Sequence, residues 1–148
     1  MASSSALDTL IELTTTQSDE AAKRLGQAIK ACEDVEQKLT MLLQYREDYA
    51  ARFQSNLAAG MSPADYRNFQ LFMQKLDTAI GGQEQVLAMA QRRVAQEQEA
   101  WRESERKRMS FGTLASRAEK ESLRKEDQRL QKAMDEHAGR QFFYKKTA

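Results

Sequence analysis

Two long hydrophobic repeats constrain what this 148-residue chain can fold into. The first runs from Leu7 to Phe53 in alternating steps of four and three residues, and eleven of its fourteen positions are apolar. The second runs from Tyr66 to Phe111 in alternating steps of three and four, with ten of fourteen positions apolar. A mean spacing of about 3.5 residues is typical of a coiled-coil seam, whereas a half-buried strand alternates every second residue. The sequence therefore predicts two long helices, each with one apolar seam.

The segment between the two seams predicts a short turn. Gly60 can adopt the left-handed conformation that ends a helix. Ser62 can cap the next helix, Pro63 suits its first position and Asp65 suits its third. We expect helix one over about 5–58, a turn at 59–62, helix two over about 63–138 and a flexible tail at 139–148. A turn this short makes the two helices antiparallel.

The register of the helix pair follows from folding the chain at Gly60. Phe53 then faces Tyr66, and seam faces seam along the whole of helix one. Helix one begins near Leu7, its first seam residue. Helix two beyond about Ala115 therefore extends past helix one and has no partner. The expected fold class is all-α, a long two-helix antiparallel coiled-coil hairpin with an unpaired C-terminal helical overhang. The whole of residues 1–148 is expected to form one such hairpin.

Composition excludes most catalytic and cofactor chemistry. The chain has one cysteine, Cys32, and one histidine, His137, which are too few for a disulfide, a zinc site or a His-based triad. Gly81 and Gly82 are not followed by the Lys-Ser/Thr of a phosphate-binding loop. No uncharged stretch reaches the ~20 residues of a membrane span. We therefore expect no enzyme activity, no catalytic residues, no cofactor and no metal.

Charge differs between the two ends of the sequence. Residues 1–101 carry 10 basic and 14 acidic side chains, whereas residues 102–148 carry 13 basic and 8 acidic ones. The overhang is therefore basic, with a narrow apolar stripe at Leu123, Leu130 and His137. Its acidic residues interrupt any continuous track for phosphates, so nucleic acid is not an expected partner.

Aromatic residues concentrate near the turn. Six of the eleven lie between Tyr45 and Phe72. Tyr45 and Phe72 themselves lie outside the seam registers, so both should be partly exposed. Exposed aromatic side chains that lie close together are typical of the centre of a binding surface.

Several stretches of this sequence resemble the FliJ family of the flagellar type III export apparatus. The densest match is the run from Lys38 to Tyr49. Further matches are Asn68-Phe-Gln-Leu-Phe72, Trp101-Arg102 and Lys132-Ala-Met-Asp-Glu136. The resemblance covers about residues 1–138. Family members are antiparallel coiled-coil hairpins that resemble the central stalk subunit of rotary ATP synthases.

The resemblance implies three partners: the hexameric export ATPase, the cytoplasmic domain of the membrane export gate, and export chaperones. Carried over by position, the gate-binding residues are Leu42, Tyr45, Tyr49, Phe72, Leu76 and Ala79. Two further family positions hold Lys38 and Gln83, where other members carry glutamine and histidine. Family members bind the ATPase ring through the end that bears both termini; the residues assigned to that contact are Leu7, Arg117, Lys120, Leu123, Arg124 and Leu130.

The same resemblance implies a cytoplasmic protein with peripheral association at the inner face of the cell membrane, reached only indirectly through its partners. One alternative stays open from the residues alone. The seams could pair between chains, giving a homo-oligomeric coiled-coil scaffold or adaptor protein without an export role.

Overall fold

The computed structural model describes the backbone of residues 2–147 and the side chains of residues 5–145. Within that range the chain forms two helices, α1 from Ala2 to Ala59 and α2 from Pro63 to Thr147. No strand occurs in the part of the chain that is described, which confirms the all-α class. None of the described helices is long and apolar enough to cross a membrane.

The turn between the helices follows the expected chemistry. Gly60 has a φ of 100°, a left-handed conformation that other residues adopt only at a cost, and its N–H bonds the Leu57 carbonyl at 3.3 Å. Ser62 Oγ accepts a hydrogen bond from the Asp65 N–H at 3.2 Å, so Ser62 caps α2 and Pro63 begins it.

The two predicted seams form the core. Every seam position is buried or half-buried except Arg46 in α1 and Tyr66 in α2. The most deeply buried seam residues are Thr14, Ser18, Ala21, Ala28, Cys32, Leu76 and Ile80. Small side chains dominate that list because two helices can shield only small groups completely, while larger ones keep an edge in solvent. Burial therefore follows the spacing of about 3.5 residues.

Contacts across the pair set the register. The rings of Phe53 and Tyr66 lie 5.6 Å apart, as folding the chain at Gly60 predicts. Farther from the turn, Arg24 Nε lies 3.4 Å from Glu97 Oε2. Both contacts join α1 to α2 of one chain and give the same antiparallel alignment.

The chain forms two compact units, each built from parts of both helices. The turn unit comprises Asp19–Arg102 and contains the turn. The end unit comprises the preceding part of α1 up to Ser18 together with α2 from Glu103 onward. In the end unit, the last half-buried side chain of α2 is Ala115, and every described side chain from 116 to 145 is exposed. We call residues 116–145 the overhang.

The predicted helix ends need correction. α1 begins at Ala2 rather than near residue 5, and α2 continues to Thr147 rather than ending near 138. Gly139 lies inside α2. Among the described residues, positive φ is found at Gly60 and not at Gly139. A glycine costs a helix only ~1 kcal/mol against alanine, and no proline follows it here, so nothing stops the helix. Ala148, the end of the expected tail, lies outside the described residues.

Candidate binding surfaces

The candidate gate surface lies in the turn unit, where aromatic rings from both helices meet. Tyr49 is a half-buried seam residue, and its ring lies 4.8 Å from Phe69 and 4.5 Å from Phe72. Tyr45 lies beside this group, 6.3 Å from Tyr49 and 6.2 Å from Phe72. Ring centroids 4.5–7 Å apart are favourable aromatic pairs, so the rings hold one another in place.

Exposure separates the residues of this surface by role. Tyr45 is 50% exposed and Phe72 is 37% exposed, which confirms the expectation that both off-seam aromatics reach solvent. Ala79 is also exposed, whereas Leu42 and Tyr49 are half-buried. Leu76 is 7% exposed and belongs to the core. Tyr45, Phe72 and Ala79 therefore supply the accessible part of the surface, while Leu76 supports it from below.

Lys38 and Gln83, the two further positions carried over from the resemblance, differ in environment. Gln83 is half-buried, and its Nε2 donates a hydrogen bond to the Val35 carbonyl at 3.4 Å. Lys38 is exposed. Gln83 thus ties α2 to the backbone of α1.

The sequence shows which charged residues interrupt the seams but did not predict their partners. Arg46 interrupts the seam of α1, and its Nε donates to Asp77 Oδ1 on α2. This hydrogen bond and the carboxylate charge raise the pKa of Arg46 further, so the guanidinium is always charged. Glu97 interrupts the seam of α2 and forms ion pairs with Arg24 of α1 and Arg93 of α2. Arg93 Nε lies 3.1 Å from Glu97 Oε1. A charged residue in an apolar seam is itself a sign of such a pair, because charged groups in coiled coils often pair across the helices.

A polar cluster crosses the helix pair in the end unit. The buried Ser18 hydroxyl donates to Glu105 Oε1. Arg108 binds the same carboxylate through both oxygens, at 3.1 Å from Nε and 2.8 Å from Nη2. Hydrogen bonding from Arg108, with a smaller contribution from Ser18, lowers the pKa of Glu105. The cluster holds an ionised carboxylate at the edge of the seam, where it links α1 to α2.

The overhang carries the residues assigned to the ATPase ring, apart from Leu7. Leu123 and Leu130 are 54% and 57% exposed, and their seven-residue spacing places them on one helix face. The remaining assigned residues of the overhang are also exposed: Arg117, Lys120 and Arg124. Arg124 Nη2 lies 2.8 Å from Glu121 Oε1, and that hydrogen bond lowers the pKa of Glu121. Leu7, by contrast, is a half-buried seam residue of α1.

Cys32 lies in the seam and belongs to neither candidate surface. It is a buried seam residue, and desolvation, followed by the charge of Glu36, raises the pKa of its thiol. A raised pKa keeps the thiol protonated and unreactive. Among the described residues there is no group of His, Cys, Asp and Glu side chains that could hold a metal ion.

Comparison with known proteins identifies the family. The family model described as the flagellar FliJ protein matches residues 3–147. The chain belongs to the FliJ family. The flagellar FliJ protein of Escherichia coli K12 is 33% identical over 140 residues, which cover 95% of each chain. The flagellar FliJ protein of Salmonella typhi is 31% identical over 140 residues, again with 95% of each chain covered. Family membership extends over the overhang as well as the paired helices, since the match continues to residue 147.

Proposed function

We propose that this FliJ-family chain is a stalk-like coupling factor of flagellar type III protein export. In this role it binds the ring of the hexameric export ATPase at one surface and the cytoplasmic domain of the export gate at another, and it escorts substrate chaperones. It acts in the cytoplasm and reaches the inner face of the membrane through these partners. It carries out no chemistry itself.

The observation that carries the proposal is that the chain offers two accessible surfaces of different chemistry. The turn unit presents Tyr45 and Phe72, two large aromatic side chains that reach solvent although their neighbours Tyr49 and Phe69 lie in the seam. Rigid exposed aromatic side chains are typical centres of protein interfaces. This supports gate binding at that surface.

The second surface is the overhang, a helix segment whose described side chains are all exposed. Its leucine stripe at Leu123 and Leu130 is flanked by Arg117, Lys120 and Arg124. A helix with exposed leucines at seven-residue spacing can pack into a groove between other helices. This supports insertion of the overhang into a ring of subunits.

A paired substitution tests the gate surface. Tyr45→Ala with Phe72→Ala should weaken binding to the gate's cytoplasmic domain at least ~10-fold, because two interface aromatics are lost. The matched control is Leu71→Ala, which should bind like the wild type. Leu71 is 53% exposed and lies on the outer face of α2. Binding would be measured by pull-down and titration, with circular dichroism as the check on helicity. Unchanged binding in the double variant refutes this assignment.

A second pair tests the overhang. Leu123→Ser with Leu130→Ser should strongly reduce stimulation of the export ATPase, and truncation after Ala115 should abolish it while the paired helices remain folded. Met109→Ser, at a position that is 62% exposed ahead of the overhang, is the control. The readout is phosphate release by the ATPase with and without the added chain. Full stimulation by the truncated chain would show that the overhang is not the ring-binding element.

A further inference from the structure

The turn unit has two sides that flank its seam, and only one of them carries the aromatic surface. Tyr45 and Phe72 pair across the helices on that side, which we call the aromatic side. The Arg46–Asp77 pair lies on the other side, because Asp77 directly follows the seam residue Leu76 whereas Phe72 directly precedes Met73. Each heptad has two seam positions, a and d, three residues apart; Met73 is an a position and Leu76 a d position. In an antiparallel pair, the residues directly after the d positions of both helices lie on one side of the seam, and the residues directly before the a positions lie on the other.

The side opposite the aromatic surface carries an apolar stripe on α1. Positions seven residues apart there are Ala22, Ile29, Glu36, Leu43, Ala50 and Leu57. Five of the six are apolar, and the three largest are 41%, 47% and 45% exposed at Ile29, Leu43 and Leu57. None of these three belongs to the seam that packs against α2. The stripe runs for about 50 Å at 1.5 Å per residue.

Carboxylates outnumber basic side chains along this stripe. On α1 they are Asp19, Glu33, Glu36 and Glu47, and on the facing edge of α2 they are Asp77 and Glu84. Lysine and arginine occupy none of the flanking positions on this side of α1 from 19 to 57. On α2 they occupy two, Arg67 near the turn and Arg102 at the far end of the turn unit. Arg46 reaches Asp77 from the seam and neutralises that one carboxylate. We call the stripe with its flanking carboxylates the acidic side.

The aromatic side is nearly balanced in charge, as the chain as a whole is. Its flanking positions within the turn unit hold five basic side chains, Arg24, Lys38, Arg52, Lys75 and Arg93, against four acidic ones, Glu20, Asp34, Asp48 and Asp65. Arg24 and Arg93 also pair with the seam residue Glu97. The two sides of the helix pair therefore select different partners, since like charges along an interface repel.

We propose that the acidic side is a docking site for one amphipathic helix of a partner protein, with leucine-like residues at coiled-coil spacing and lysine or arginine beside them. The partner's apolar residues pack on Ile29, Leu43 and Leu57 and complete a three-helix coil over the turn unit. Its cations meet Glu33, Glu36, Glu47 and Glu84. Charge complementarity selects the occupant, because an acidic helix on the same stripe would face uncompensated carboxylates. The site uses neither the aromatic side nor the overhang, so it stands apart from both surfaces of the proposed function.

Designed peptides serve as probes of this site on the full-length chain. A 28-residue helical peptide with leucine at its seam positions and lysine beside them is compared with two peptides of the same length. One has glutamate in place of lysine, and the other has serine in place of leucine. Fluorescence anisotropy of the labelled peptides at near-physiological salt should show binding by the first peptide and at least ~10-fold weaker binding by each of the others.

Variants of the chain place the binding on the acidic side. Ile29→Ser with Leu43→Ser should weaken binding of the lysine–leucine peptide at least ~10-fold, as should Glu33→Lys with Glu84→Lys. Met41→Ser with Val86→Ser is the matched control, because these two apolar residues are exposed at 70% and 45% on the aromatic side. The control should bind normally. Circular dichroism confirms that each variant keeps its helicity.

Three outcomes overturn the proposal. The first is equal binding of the lysine and glutamate peptides. The second is peptide binding that survives Ile29→Ser with Leu43→Ser, or that is lost in the Met41→Ser, Val86→Ser control. The third is sedimentation of the unliganded chain as a dimer that this stripe variant converts to a monomer, which would make a second copy the occupant.

Discussion

The two parts of α2 on either side of Ala115 are both helical, but for different physical reasons. From Phe69 to Phe111, each position of the seam is at least half-buried. From 116 to 145 every side chain is exposed, and what supports the helix is local, such as the Arg124–Glu121 ion pair. Isolated helices of this kind are marginal in water. One continuous helix thus contains a segment stabilised by tertiary packing and a segment that depends on helix propensity and local ion pairs.

The sharpest test of this difference removes similar apolar side chains from the two segments. Ile80→Ala takes a side chain that is 7% exposed out of the core and should lower the free energy of unfolding by about 2–4 kcal/mol. Leu130→Ala removes a side chain that is 57% exposed and should change it by less than ~0.5 kcal/mol. Urea unfolding followed by circular dichroism measures both. Equal effects would mean that the overhang is packed in solution.

Glycines in the two regions should respond in opposite directions. Gly60→Ala forces a left-handed conformation on alanine and should cost about 1–2 kcal/mol of global stability. Gly139→Ala places a methyl group where nothing lies within 4 Å and should stabilise the local helix by about 1 kcal/mol. The first effect appears in the urea midpoint, and the second appears as slower amide hydrogen exchange around residue 139 with an unchanged midpoint. A stabilising Gly60→Ala would rule out the left-handed turn.

The smallest expected effect is a dependence on acidic pH. The folded-state pKa of Glu105 is lowered by Arg108 and Ser18, so the ionised carboxylate stabilises the fold above the ordinary glutamate pKa of about 4.3. That contribution is lost as the pH falls through the lowered pKa. Glu105→Gln should therefore reduce the difference in urea midpoint between pH 7 and about pH 3.

Glu121 is the matched position in the overhang, because Arg124 lowers its pKa in the same way. Glu121→Gln should alter helicity near residue 121 without moving the urea midpoint. If both variants changed the midpoint equally, the distinction between the two segments would fail.

Most of the fold could be predicted from the sequence because the seams are long and almost unbroken. Twenty-eight seam positions share one period, and all but Arg46 and Tyr66 are removed at least partly from solvent. The turn was equally predictable, since Gly60, Ser62 and Pro63 each have one conformation or hydrogen bond to which they are suited. The end of α2 was not, because a single glycine in a helix is a weak stop signal when no proline or capping group accompanies it.

The candidate surfaces could be predicted only in part. Off-seam position alone indicated that Tyr45 and Phe72 would be exposed, and both are. The family resemblance also assigned Leu76 to gate binding, while its seam register indicated the core, where it lies at 7% exposure. Its assignment to gate binding stays a prediction.

The amino-acid sequence by itself determined that the chain is helical, where it turns and which face of each helix is buried, because heptad spacing and turn chemistry are local properties. Only the tertiary structure decided which side chains meet across the pair, such as Arg46 with Asp77, Gln83 with the Val35 carbonyl and Ser18 with Glu105. These pairings depend on the exact axial alignment of two helices. Folding the chain at Gly60 predicts that alignment closely enough to pair the two seams. It does not assign partners to the polar side chains, because a shift of a few residues along the helix changes which of them meet.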